Sequence, residues 1–320
     1  MRNKYTYGPV ASRRLGRSLG VDLVPPKTCN LNCRYCQLGP TERTTMERAD
    51  YVPVADVVAE VRARLEEGPR PDYITLGGSG EPTLHRSFGD VAARIREFSD
   101  VPIALLTNGS LFYLPEVRAA CTAVDLILPT LDAGDEETFR RINRPHPGLT
   151  LEAIVEGQAA LRQEFKGQVW LEVFIVESVN TSDEQVRAIG RRVERIKPQR
   201  VQLNTAVRPP AEKDVSAASP QTLERIRMML GPGTEIIAPV GGFRAVPGAQ
   251  ARKEDVLAIL RRRPCTLEDI AAGLGTGREE AEKCVRALMD EGLVMRRQRL
   301  YESYYEAGAN APKASATDAH

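Results

Sequence analysis

Residues 27–37 read KTCNLNCRYCQ, and place Cys29, Cys33 and Cys36 at a C-x3-C-x2-C spacing with no fourth cysteine nearby. Clustered thiolates select soft or borderline metals, so zinc and iron–sulfur clusters are the two readings of this stretch. Structural zinc closes a tetrahedron with four protein ligands, which would here require His85 or His146 as the fourth. A cubane iron–sulfur cluster held by three cysteines instead leaves one iron open to a substrate or cosubstrate. The remaining cysteines, Cys121, Cys265 and Cys284, stand apart and read as small buried hydrophobes.

Working outward, short β-branched runs recur at Ser18–Pro25, Tyr73–Ser79, Pro102–Gly109, Val124–Asp132, Val169–Glu177 and Arg200–Thr205. Between them lie stretches of helical periodicity, such as Val54–Glu67, Phe88–Phe98, Leu151–Phe165 and Asp183–Ile196. Strands alternating with helices build parallel sheets, and these six predict an α/β fold, a partial (βα)6-type TIM-like barrel. Such barrels gather ligands at the carboxyl ends of their strands. The cysteines follow the first strand, Gly77–Leu84 the second, Asn108 and Gly109 the third, and Asp132 the fourth.

Beyond Val240 the pattern changes. GGFRAVPGAQ (241–250) is a Gly/Pro-containing break, followed by three short helical stretches and the alternating segment LVMRRQRLYESYY (293–305). Thr266 and Asp269 have capping-box spacing at the second helix. Three helices and a hairpin predict a small winged helix-turn-helix domain. The expected division is a barrel with a basic amino-terminal arm over 1–245, the winged helix over 246–306, and a disordered polar tail over 307–320.

At 320 residues with net charge +1, the chain has no global field that would draw it to nucleic acid or an anionic membrane. It contains no apolar run of about 18 residues, and its sparse cysteines do not form a disulfide framework, so a soluble cytoplasmic protein is expected. The first 21 residues, however, carry Arg2, Lys4, Arg13, Arg14 and Arg17 and no acidic residue. That arm suits phosphates of a nucleic acid or nucleotide, or else forms an internally paired edge beside the barrel. The winged helix balances 11 Lys and Arg against 11 Asp and Glu over Arg252–Glu306, with Arg296, Arg297 and Arg299 beside Tyr301, Tyr304 and Tyr305. These predict a recognition module for an RNA, protein or peptide partner more than a reader of a DNA operator. Arg208, after the sixth run, could meet a carboxylate of substrate or cosubstrate.

The C-x3-C-x2-C spacing, with Tyr35 before the last cysteine, resembles the cluster-binding loop of the radical S-adenosylmethionine (SAM) superfamily. The resemblance implies that Cys29, Cys33 and Cys36 hold a [4Fe–4S] cluster whose fourth iron chelates SAM. It further implies reductive cleavage to a 5′-deoxyadenosyl radical that abstracts hydrogen from a substrate, with a reductant such as flavodoxin or ferredoxin supplying the electron. GGSGEPTLH (77–85) resembles the family's glycine-rich turn and implies SAM contacts at Ser79, Gly80 and Glu81, beside Tyr35. LLTNGS (105–110) adds Thr107 and Asn108, LPTLDAGDEETFRRINRP (128–145) adds Thr130 and Asp132, and SVNTSDE (178–184) adds Asn180. Within the superfamily the chain looks most like tRNA wyosine-base synthesis enzymes, although it has no cysteine before Cys29 for their extra cluster. The alternative expectation is a winged-helix regulator whose cysteines hold a redox-sensing cluster without radical chemistry.

Overall fold

The computed structural model describes residues 4–68, 70–237, 251–299, 302–308 and 311. Its main sheet has eight strands in the order β1 (Thr6–Ser12), β2 (Gly16–Val21), β3 (Tyr73–Leu76), β4 (Ile103–Leu106), β5 (Leu126–Leu128), β6 (Gln168–Ile175), β7 (Arg200–Thr205) and β8 (Thr234–Ile236). All neighbours from β2 to β8 are parallel, and β1 returns antiparallel to β2. The six strands expected from sequence are β2 to β7. The basic arm, expected either to meet phosphates or to form an internally paired edge, begins with the edge strand β1 and the turn after it, while Arg2 lies outside the described residues.

Each strand divides its side chains by alternation. Ile74 and Leu76 of β3, Ile103 and Leu105 of β4, and Ile127 of β5 pack outward with helices α1 (Val54–Glu67) and α2 (Phe88–Arg96). Val173, Ile175, Val201 and Leu203 do the same with α6 (Asp183–Ile196) and α7 (Pro220–Leu230). The intervening residues face inward: Ala104, Leu126 and Leu128 form a small apolar layer with Leu15 of the β1–β2 turn, and Thr75, Glu172 and Asn204 border an internal cavity. The helices α3 (Pro115–Ala119), α4 (Glu136–Asn143) and α5 (Leu151–Glu164) complete the outer layer. Asp135 caps α4 by accepting from Thr138 N, which explains why DEETF starts a helix straight after the fourth parallel strand.

The carboxyl-terminal unit contains α8 (Lys253–Leu260), α9 (Leu267–Leu274), α10 (Arg278–Asp290) and the antiparallel pair β9 (Val294–Arg299) and β10 (Glu302–Ala307). Thr266 and Asp269 form the anticipated capping box. The 241–250 break, Tyr301 and most of the expected tail lie outside the described residues, whereas Ala307 belongs to β10. Tyr7 and Val10 of β1 share one apolar cluster with Val256, Ile270 and Val285 of this unit. Packing at this joint is close: a Cβ on Gly273 of α9 would come within 2.8 Å of Pro9 O and 2.9 Å of Val10 Cα. The unit also reaches the far side of the barrel, through Arg208–Asp269 at 3.2 Å and Arg299 donating to the Ala206 and Val215 carbonyls. It therefore ties β1 to the segment after β7. Tyr304 is buried, and Tyr305 packs against the helices. No helix among the described residues is long and apolar enough to cross a membrane.

Candidate functional site

The cysteine loop leaves β2 and is fastened to the turn after β3. Lys27 N donates to Ser79 O at 2.6 Å and Glu81 N to Thr28 O at 2.9 Å, while Cys36 N closes a turn on Cys33 O at 3.1 Å. Gly80 permits this approach, since a Cβ there would lie 2.1 Å from Thr28 O. All three cysteines line the internal cavity, which has a volume of about 330 Å³.

Each sulfur faces a nitrogen donor. Cys29 Sγ accepts from Leu31 N at 3.5 Å and Asn108 Nδ2 at 3.7 Å, Cys33 Sγ from Asn143 Nδ2 at 3.3 Å, and Cys36 Sγ from Lys27 Nζ at 3.3 Å. Burial pushes the Cys29 thiol up to about 12, and burial with the nearby Asp132 carboxylate raises Cys33 well above the ordinary value. Thiolates in this wall need a cationic group to hold them ionised, and a metal cluster supplies one. Three thiols bordering one cavity, each with a donor behind it, fit a [4Fe–4S] cluster. They do not make the Cys3His zinc site: His85 Nε2 contacts Val52 O at 2.9 Å, its Nδ1 accepts from Ser87 N, and His146 Nδ1 accepts from Gly148 N. Among the described residues no three His, Cys, Asp or Glu side chains converge on a single ion position.

Of the expected SAM contacts, Tyr35, Gly80, Glu81, Thr107, Asn108 and Thr130 line the cavity. Glu81 is locked in place there, accepting from Thr83 Oγ1 at 2.5 Å, Thr107 Oγ1 at 2.6 Å and Asn108 N at 2.7 Å. Its carboxylate thus joins the ends of β3 and β4, and burial raises its pKa.

Ser79, Asp132 and Asn180 do not border the cavity. Asp132 Oδ2 accepts from Tyr35 O–H at 2.5 Å and Asn143 Nδ2 at 2.8 Å, while Oδ1 accepts from Phe174 N at 2.9 Å. It fastens the cysteine loop to β6, assisted by Tyr35 stacking on Phe174 at 3.8 Å. Burial lifts this carboxyl to about 7. Asn180 closes its own turn, donating to Asp132 O and Phe174 O and accepting from Val176 N, each at 2.8 Å. Both are engaged within the protein, Asp132 by the Tyr35 and Asn143 side chains and Phe174 N, and Asn180 by backbone groups alone.

Sequence reasoning singled out Arg13, Arg14 and Arg208 but missed that they meet Arg262 and Arg263 on the wall of one cavity. Arg13 and Arg14 from the β1–β2 turn, Arg208 after β7, and Arg262 and Arg263 after α8 all border it. Arg14 pairs with Glu172 inside the barrel, and Arg262 with Asp22 at 2.5 Å while lying 4.6 Å from the Tyr7 ring. Arg17 turns away, its Nη2 donating to Arg70 O while its backbone N donates to Asp72 Oδ2. The arm's Arg13 and Arg14 therefore point their charge inward, which a linear reading of SRRLGR does not reveal.

The model of the radical SAM superfamily matches residues 23–189, which include the cysteine loop, the β3 turn and the strand ends just described. The chain belongs to the radical SAM superfamily, an enzyme class whose cofactors are a [4Fe–4S] cluster and SAM. It is similar to a UPF0026 protein of Methanocaldococcus jannaschii, at 35% identity over 82% of this chain and 84% of that protein. It is also 35% identical, over 92% of its length, to a Brachyspira hyodysenteriae protein named GTPase Obg, of which it spans 44%. A radical SAM methyltransferase from Sphaerobacter thermophilus shares the fold, with a TM-score of 0.53, 18% identity, and coverage of 68% of this chain and 66% of that one.

Proposed function

We propose that the chain cleaves SAM reductively at a cluster held by Cys29, Cys33 and Cys36, and that a substrate loses a hydrogen atom in the internal cavity. What carries this reading is the convergence of the three donor-backed thiols on the cavity bordered by Gly80, Glu81, Thr107, Asn108 and Thr130. When bound, the cluster and SAM supply a one-electron reduction and a 5′-deoxyadenosyl radical. The chain's own residues position and shield. Asn108 and Asn143 orient Cys29 and Cys33 by N–H···S contacts, and Lys27 steadies Cys36 while donating to Gly39 O at 2.6 Å. Glu81 and Thr107 hold the strand ends rigid, and the Tyr35–Phe174 stack with Asp132 fixes the loop, keeping reacting groups aligned.

The proposal extends to a carboxyl-terminal winged helix and to a reductant such as flavodoxin or ferredoxin in a cytoplasmic setting. The three helices and hairpin support the first, and six cysteines without disulfides support the reducing compartment. A macromolecular substrate, RNA as in the wyosine-type resemblance or a protein or peptide, belongs to the same proposal. Its support is the exposed stretch of the hairpin strand β9 at Met295, Arg296 and Arg297. The test is anaerobic reconstitution with iron and sulfide, reduction, and chromatography for 5′-deoxyadenosine. Cys33→Ala should abolish the product. Intact SAM together with cluster-dependent DNA binding would replace the enzyme with a redox-sensing regulator.

A further inference from the structure

The carboxylates bordering or adjoining the cavity's cationic wall are already engaged. Glu172 pairs with Arg14, Asp269 with Arg208 at 3.2 Å, and Asp22 with Arg262 at 2.5 Å. Two guanidinium groups are left over. Arg13 has one partner, a neutral one: its Nη2 donates to Asn204 Oδ1 at 3.0 Å. Arg263 donates from Nη2 to Ala11 O at 2.9 Å. Among the described residues neither has a carboxylate partner, and Arg263 Nε, like Arg208 Nε, is buried without an acceptor. Burial, followed by the charges of Arg208 and Arg14 and opposed by the Glu172 carboxylate, draws the Arg13 pKa down to about 10. A partly buried cation with no carboxylate in direct contact is costly, and some of that cost is recovered when an anion enters.

We propose that the cavity clamps an oxyanion of the substrate, a phosphate or carboxylate group, between Arg13 and Arg263, with Arg208 beside them. The clamp spans the joint between barrel and carboxyl-terminal unit, because Arg13 comes from the β1–β2 turn and Arg263 from the end of α8. Guanidinium suits an oxyanion because its planar fork bonds two oxygens at once. The site thus makes the carboxyl-terminal unit part of the substrate chamber as well as a covering for β1. This assignment rests on reading the cavity as the place where the radical meets its substrate.

The experiment is titration calorimetry of reconstituted holoenzyme saturated with SAM, so that the cofactor's own carboxylate is already accommodated. Inorganic pyrophosphate and succinate are the two probes, and they separate phosphate from carboxylate chemistry. One of them should bind saturably at one site per chain. Arg13→Gln and Arg263→Gln should each weaken that binding by about tenfold or more, the loss expected for a charge-assisted hydrogen-bonding partner. Arg13→Lys, which keeps the charge and loses the fork, should fall between. Arg225→Gln, on an exposed helix face where Arg225 pairs with Asp183, should bind as wild type does. Absence of binding for both probes, or equal affinity in wild type and the two Gln variants, would overturn the clamp. Formation of 5′-deoxyadenosine by the wild-type enzyme is followed in parallel. Cleavage without anion binding removes the clamp alone, and anion binding without cleavage removes the radical reading.

Discussion

Gly80→Ala is a severe test of how the cysteine loop is positioned. The added methyl group would stand 2.1 Å from Thr28 O and 2.8 Å from Val24 Cγ2. Ordinary contact of carbon with such atoms lies near 3.5 Å, so the loop must retreat by about 1 Å. Gly80 does not occupy the left-handed region, so the substitution measures crowding rather than backbone strain. Overpacking of this kind costs about 2 kcal/mol, and a 1 Å displacement of a reacting centre costs about a hundredfold in rate. The variant should load iron and sulfide, melt several degrees lower, and form 5′-deoxyadenosine about a hundredfold more slowly. Gly39→Ala in the same loop is the opposite case: φ is +84° and nothing lies within 4 Å of its Cβ, so only backbone strain of about 1 kcal/mol is added. Melting by circular dichroism and anaerobic product chromatography read both variants. A Gly80→Ala enzyme with wild-type rate and melting temperature would refute the proposed seating of the loop.

Asp269→Asn leaves Arg208 without its ion partner in a largely buried joint and should cost about 3 kcal/mol, read as a lower denaturant midpoint; an unchanged midpoint would show the joint does not depend on the pair. Tyr35→Phe removes the 2.5 Å hydrogen bond to Asp132 and should destabilise by about 2 kcal/mol while keeping the ring stack on Phe174, as denaturation and near-UV circular dichroism would show. His85 has a pKa lowered from 6.5, by burial first, with its hydrogen bond to Val52 O opposing. Its folded pKa lies below the unfolded one, so its contribution to stability is present above pH 6.5 and declines as pH falls through the folded value. An NMR titration should find His85 less than half protonated at pH 6.5, where an exposed histidine is half protonated.

The strands and the cysteine loop were legible in the sequence because they depend on local pattern. The runs at Ile74–Leu76 and Val201–Leu203 alternate apolar core residues with the polar Thr75 and Gln202, and the thiol spacing lies within eight residues. The capping box at Thr266 and Asp269 was equally local. What escaped depends on where distant segments meet. Arg13 and Arg263 are 250 positions apart and share a cavity only because α9 packs on β1. The family resemblance implied SAM contacts at Asp132 and Asn180. Their backbone partners appear only once β6 is laid beside β5.

The most direct measurement is electron paramagnetic resonance of the reduced, fully loaded wild-type protein before and after SAM is added, with 5′-deoxyadenosine quantified from the same sample. A [4Fe–4S] signal that changes on addition, with product absent from Cys29, Cys33 and Cys36 single Ala variants, is the expected result. A saturated cluster whose signal is indifferent to SAM and which yields no 5′-deoxyadenosine would contradict it.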